Sequence, residues 1–156
     1  MRRKDREVTD AALIDEIIMK CHCCRLGFND GGRVYIVPLN FGYVNECGQR
    51  NFYFHGAYEG RKMDLIRNGG YAAFEMDTDY VLHEGRIACD YTAGFKSVFG
   101  EGRIEEITDA SEKECGLLAI MRQAAGRADF KFDERHLASV CVFRLSVETI
   151  SCKVHA

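Results

Sequence analysis

One proline stands in 156 residues, at position 38. No apolar run approaches the ~20 residues a membrane-spanning helix needs, so no membrane role is expected. Repeats, low-complexity stretches and domain linkers are absent, and the whole chain, residues 1–156, reads as a single domain. The start, "MRRKDREVTDAAL", is charged and lacks the apolar core of a secretory signal, which points to the cytoplasm. Net charge is −3, with both signs spread along the chain. Broad nucleic-acid binding needs a concentrated basic surface and is not expected. No G-x-G-x-x-G follows a strand, so a Rossmann dinucleotide site is unsupported. Phosphate-loop, H-E-x-x-H and G-x-S-x-G patterns are missing as well.

Cysteine, by contrast, is plentiful: eight residues. Without an export signal these read mostly as free thiols acting as small buried hydrophobes. Three of them crowd with a histidine into Cys21-His22-Cys23-Cys24. The C-x-x-C of Cys21 and Cys24 would close a helix and enter a strand. That is the wrong electrostatic end for a redox pair, which wants a helix N-terminus. A zinc site would need two further ligands, and Cys152 with His155 is the only other C-x-x-H pair. Period-2 alternation instead places Cys24, Leu26 and Phe28 together on a core face, with Cys21 under the helix end.

Thr9 or Asp10 can cap a helix through about Met19, with Leu13, Ile14, Ile17 and Ile18 on one face. "CRLGF", "RVYIVPLNFGYV" and "NFYFHG" read as successive strands, joined by the turns "NDGGR" and "NECGQR". Pro38 inside the second demands an edge, a bulge or a non-strand neighbour. "AYEGRKMDLIRNGG" reads as a short glycine-closed helix. "YAAFEMD", "YVLHEGRIACDY" and "KSVFGEGRIEEI" follow as strands, the last with interior glycines at 100 and 102. Asp109 and Glu112 match a capping box for a helix to about Ala124. A loop, "GRADFKFDERHL", precedes the final strand "SVCVFRLSVETISCKV". Six or seven strands in hairpin succession with three helices favour a mainly β protein, an antiparallel sheet closed into a small barrel with helices outside.

The strongest local candidate for chemistry is "YFHGAYEGRKMDL". A strand ends at His55-Gly56, and Arg61-Lys62 open a helix. Free N–H groups, a positive dipole end, a planar guanidinium and an ammonium could together hold a phosphate. A solvated basic turn is the equally good alternative at this level. His55 could act on a ligand or simply be a satisfied rim residue.

Taken together, "MRRKDREVTD", "CRLGF", "GGRVYIVPLNFGY", "FYFHGAYEGRKMDLI", "FEMDTDY", "ACDYTAGFKSVFGEGRIE" and "RLSVETISCKVHA" resemble, in order and over almost the full chain, one family. It comprises the flavin-binding split-barrel proteins related to pyridoxamine 5′-phosphate oxidase. Within it, the chain is most similar to the nitroimidazole-resistance reductase group. The resemblance implies a six-stranded antiparallel split β-barrel, a homodimer, and FMN at the dimer interface. It assigns the Val37, Pro38, Leu39 and Asn40 backbone to the isoalloxazine edge, and Phe54, His55 and Gly56 to the strand end beside the ring. Arg61 and Lys62 become the phosphate pair. Lys96, Ser97 and Val98 approach the flavin from the partner subunit, and Arg122 lies near the interface. His55 would place the acceptor or donate a proton. The implied activity is an FMN-dependent reductase of small acceptors such as nitroaromatic compounds, with a reduced nicotinamide as candidate donor.

Some positions depart from the family. Lys96 stands where an arginine is common, and Gln123 where the reductase group often carries histidine. The arginine- and histidine-rich C-terminal segment of true pyridoxamine phosphate oxidases is missing, so vitamin B6 oxidation is not expected. Two other readings stay open: a non-catalytic flavin- or haem-binding protein with His55 as iron ligand, and a structural zinc protein built on Cys21, Cys24, Cys152 and His155.

Overall fold

The computed structural model describes residues 3–155. Along them run β1 (Glu7–Val8), α1 (Ala11–Lys20), β2 (Cys24–Asp30), β3 (Arg33–Leu39), β4 (Gly42–Glu46) and β5 (Gln49–Gly56). Then come α2 (Arg61–Gly69), β6 (Tyr71–His83), β7 (Thr92–Ile107), α3 (Ala110–Ala125), α4 (Glu134–Ser139) and β8 (Cys141–His155). The strands form one sheet in the order β3-β2-β6-β7-β8-β5-β4, with β1 added to β8. Every pairing is antiparallel.

β3 and β4 are the two ends of this strand order, yet only Asn40 and Phe41 separate them in the chain. Three Cα–Cα steps reach at most about 11 Å, so the sheet must curl until its ends meet, a barrel with a split between β3 and β4. Its interior is filled by the inward face of each strand. Cys24, Leu26 and Phe28 of β2 join Phe52 and Phe54 of β5, Phe74 and Met76 of β6, Val98 of β7, and Phe143, Leu145 and Cys152 of β8. The aromatic rings interlock: Phe52 lies 4.9 Å from Phe74, and Phe54 stacks on Phe143 at 5.4 Å. Each such buried ring contributes roughly 2–3 kcal/mol of transfer free energy.

α1 attaches by three of the four residues expected on its apolar face, while Leu13, the fourth, is 37% exposed. Asp10 caps α1, accepting from the amides of Ala12 and Leu13 at 2.9 and 3.0 Å, and Ile14, Ile17 and Ile18 seal one side of the barrel. Asp109 caps α3 through the Glu112 amide at 2.8 Å. The box is only half formed, because the Glu112 carboxylate is taken by Arg144. α3 packs Leu117, Ala119 and Ile120 against Tyr53 and Val142 in a second, smaller apolar cluster.

Several boundaries differ from expectation. The barrel sheet has eight strands rather than six, among the described residues. The run read as one strand, "RVYIVPLNFGYV", breaks at Asn40-Phe41: β3 pairs only with β2, and β4 turns through Cys47-Gly48 to pair with β5. "YAAFEMD" and the start of "YVLHEGRIACDY" form one strand, β6. It is continued past a bulge at Asp79-Tyr80, where Asp79 adopts φ +55°. The stretch read as a loop before the last strand contains α4, capped by Asp133 through the His136 amide at 2.8 Å. The two-residue β1 is too short to show any period.

Candidate functional site

β3 is an edge strand of the sheet order, so the missing N–H of Pro38 leaves no ladder bond unmade on its open side. Where β3 ends beside β5, a cleft of about 340 Å³ opens. It is lined by Cys23, Pro38, Leu39, Asn40 and His55. Alternation along β5 decides its chemistry. Phe54 points inward and is fully buried, while His55 points outward and is exposed. No hydrogen bond among the described residues engages the His55 ring, so both its nitrogens remain available. Val37 is half-buried and packs against the core, contributing backbone rather than side chain to this rim.

The next turn of chain supplies charge. Gly60, with φ +118°, leads into α2, a conformation that favours glycine. Lys62, in the first turn of α2, folds back over the end of β5. Its Nζ lies 5.2 Å from the centre of the Phe143 ring, and a Cβ on Gly56 would stand 2.8 Å from it. Burial pushes the Lys62 ammonium below the usual lysine range, with only Cys141 acting weakly the other way. No carboxylate pairs with it among the described residues. A half-buried, uncompensated ammonium beside free helix N–H groups is the environment an anion would complete.

Arg61 behaves differently. Adjacent helix residues diverge by about 100°, and Arg61 turns to the β2–β3 hairpin. There its Nε donates to Asp30 Oδ2 at 2.7 Å, and its Nη2 donates to the same oxygen. The two cations of the pair therefore leave the start of α2 in different directions, Arg61 toward Asp30 and Lys62 toward Gly56. Lys96 is held by Asp79 at 2.8 Å. Ser97 is half-buried, and Val98 is fully buried in the barrel core. Arg122 is exposed late in α3. Its neighbour Gln123 reaches the end of α1, where Nε2 lies 2.9 Å from the Cys21 carbonyl and 3.2 Å from that of Ile18.

The cysteine-rich stretch is a junction. Cys21 caps the end of α1 and is buried, as are Cys24 and Cys152. Burial pushes the Cys21 thiol up to about 12 and raises Cys24 and Cys152 as well. Cys152 and His155 are three apart on β8 and so face opposite sides of it. His155 Nδ1 is 2.6 Å from the Ala93 carbonyl. Among the described residues no three His, Cys, Asp or Glu side chains converge as a metal site.

The cleft thus unites Pro38, Leu39, Asn40 and His55, while Lys62 lies outside its lining, over Gly56 at the end of the same strand. Sequence reasoning missed Cys23 in its wall and Asp30 on Arg61. Cys23 lies just before β2, and Asp30 ends that strand, 31 residues from its partner. A larger groove of about 770 Å³ lies elsewhere, on the outer sheet face between Val34 and Tyr71. It carries no histidine or cysteine and adjoins an apolar strip where Ile36 is 62% and Phe99 52% exposed.

A single curled antiparallel sheet, split between β3 and β4 and flanked by helices, defines a split β-barrel protein. A family model described as pyridoxamine 5′-phosphate oxidase matches residues 10–154. The chain belongs to that family. Among solved structures, it is similar to a protein of Bacteroides thetaiotaomicron VPI-5482 named for 5-nitroimidazole antibiotic resistance. The two share 28% identity with a TM-score of 0.81, over 95% of this chain and 86% of the other. A flavocytochrome from Azotobacter vinelandii has the same fold at 21% identity and a TM-score of 0.80, over 100% and 72%. So does a Mycobacterium smegmatis protein named for binding FAD and heme, at 17% and 0.81, over 96% and 73%. No curated protein matches the chain.

Proposed function

We propose that this protein binds FMN and uses it to reduce a small acceptor, such as a nitroimidazole or other nitroaromatic compound. One observation carries the reading: the unpaired, half-buried Lys62 ammonium at the start of α2 adjoins the strand end whose outer side forms the Pro38–Asn40 and His55 cleft. An ammonium without a carboxylate fits a phosphate, and an edge-strand backbone beside an exposed imidazole fits a flat polar ring. When bound, FMN supplies the hydride-accepting and electron-passing chemistry. Lys62 and the first amides of α2 hold its phosphate, with the remaining Arg61 N–H groups beside them. The Val37–Asn40 backbone borders the ring. His55, free of partners, places the acceptor or holds a proton for it. A reduced nicotinamide is the proposed donor. The family match and the likeness to the 5-nitroimidazole resistance protein support this reading.

The same reading includes a cytoplasmic homodimer. Val34, Ile36 and Phe99 expose 78%, 62% and 52% of their surfaces on one sheet face. A second copy would cover them and bring Lys96, Ser97 and Arg122 toward the partner's cleft. The test is direct: titrate the protein with FMN, then assay NADH- and NADPH-dependent reduction of a nitroimidazole. Turnover lost in His55→Ala with FMN retained supports it. FMN binding without turnover for either donor favours a second reading, a flavin or haem carrier, which has support in the flavocytochrome and FAD-and-heme relatives of the fold. A Soret band on haem addition, lost in His55→Ala, identifies that case.

A further inference from the structure

Lys113 of α3 is 7% exposed, the one charged side chain among the described residues that is buried to this degree. Its Nζ donates to the Tyr58 hydroxyl at 3.0 Å and to the Leu137 carbonyl. It also sits 5.5 Å from the centre of the Tyr58 ring. The Tyr58 hydroxyl donates onward to the Ala138 carbonyl at 3.1 Å. No carboxylate pairs with Lys113 among the described residues. Burying an ammonium against neutral acceptors alone is costly, and a methionine would fill the same helix position more cheaply. What the lysine gains is a hold on residues 57–60. This segment joins the His55-Gly56 strand end to Lys62. None of the loop backbone hydrogen bonds starts from residues 57–59; Gly60 alone accepts, from Met63 and Asp64 of α2. Tyr58 is thus the side chain that pins the segment, to α3 through Lys113 and to α4 through Ala138.

We infer that Lys113 and Tyr58 are positioning residues that latch residues 57–60 to α3 and α4 and so fix the Lys62 ammonium over Gly56. The inference rests on the reading of Lys62 as the phosphate holder. The latch acts on the phosphate end of the site and leaves the ring cleft of Pro38–Asn40 and His55 untouched. It makes α4 a remote element on which the grip depends.

Tyr58→Phe removes one hydroxyl and keeps the ring. Lys113→Met removes the charge and keeps the bulk, and Lys113→Arg restores a donor. Two measurements on each full-length variant test the latch: amide hydrogen exchange over residues 57–64, and dissociation constants for FMN and riboflavin. Tyr58→Phe and Lys113→Met are expected to speed exchange in 57–64 with the barrel strands unchanged. Each is expected to weaken FMN about tenfold, because each removes the Lys113–Tyr58 hydrogen bond together with one to a carbonyl of α4. Riboflavin, lacking the phosphate, should shift less than twofold, and Lys113→Arg should recover part of the loss. Unchanged exchange in both variants overturns the latch, as does equal weakening of FMN and riboflavin. If the unaltered protein binds neither flavin, the phosphate reading fails, while faster exchange in 57–64 still establishes the latch and unchanged exchange still removes it.

Discussion

Lys62 crosses Gly56 so closely that a Cβ there would stand 2.8 Å from Nζ and 3.5 Å from Cε. The clashing atoms are the far end of a flexible side chain, so Gly56→Ala should cost little stability. It should still push the ammonium off its place. The expected result is FMN binding weakened about tenfold with the melting temperature nearly unchanged. Lys62→Met should cost more, between about tenfold and a hundredfold, as befits a charge-assisted contact. Fluorescence titration and thermal melts on the same samples check both.

Burial lowers the pKa of Lys62. Its ammonium is present below that pKa and is lost as pH rises through it. FMN affinity should therefore be flat near neutrality and decline on the alkaline side, earlier than an ordinary lysine would allow. Lys62→Arg cannot lose its charge there and should remove the decline. Dissociation constants across the alkaline range for both proteins decide the matter.

Asp30 holds two N–H groups of the Arg61 fork. Arg61→Ala should therefore weaken FMN less than Lys62→Met does. Asp30→Asn should release the fork and tighten FMN. Because Arg61 is 60% exposed, breaking this pair should leave stability nearly unchanged. Titration of the three variants, with urea unfolding alongside, checks the order.

Asp15 of α1 is the fastening to the β4–β5 hairpin. It accepts from Tyr43 and Asn45 at 2.7 Å each and from Arg50 at 2.8 Å. Burial raises its pKa, but the hydrogen bonds from Tyr43, Asn45 and Arg50 outweigh that and leave it below the usual carboxylate range. The stabilisation is complete above the ordinary aspartate pKa and is lost as pH falls through the lowered one. Asp15→Asn should cost about 2 kcal/mol at neutral pH and much less in strong acid. Urea unfolding at several pH values measures this.

Gly42 of β4 passes against the α3 backbone, where a Cβ would lie 2.3 Å from the Ile120 amide nitrogen and 2.4 Å from the Ala119 carbonyl carbon. Backbone cannot step aside as a lysine tip can. Gly42→Ala should destabilise by about 3 kcal/mol, in contrast to Gly56→Ala, and calorimetry of the two separates the cases.

The residues that sequence placed well are those whose role follows from period alone. Cys24, Leu26 and Phe28 face the core as alternation requires, and Asp10 and Asp109 cap where expected. The split at Asn40-Phe41 was not legible, because strand propensity continues through it and only the choice of partner, β2 or β5, breaks the run. The divergence of Arg61 and Lys62 follows from helix geometry, but its target, Asp30, is 31 residues away. Lys113 looks like any helix-surface lysine until α4 and Tyr58 close over it.

The proposed FMN site at this strand end stands or falls with the grip of Lys62 on the phosphate. The most direct measurement is the visible absorbance and fluorescence of the full-length protein titrated with FMN. Saturable binding near one FMN per chain is expected, with the spectrum shifted from that of free FMN, and strong weakening in Lys62→Met. No binding, or equal binding by the unaltered protein and Lys62→Met, would contradict it.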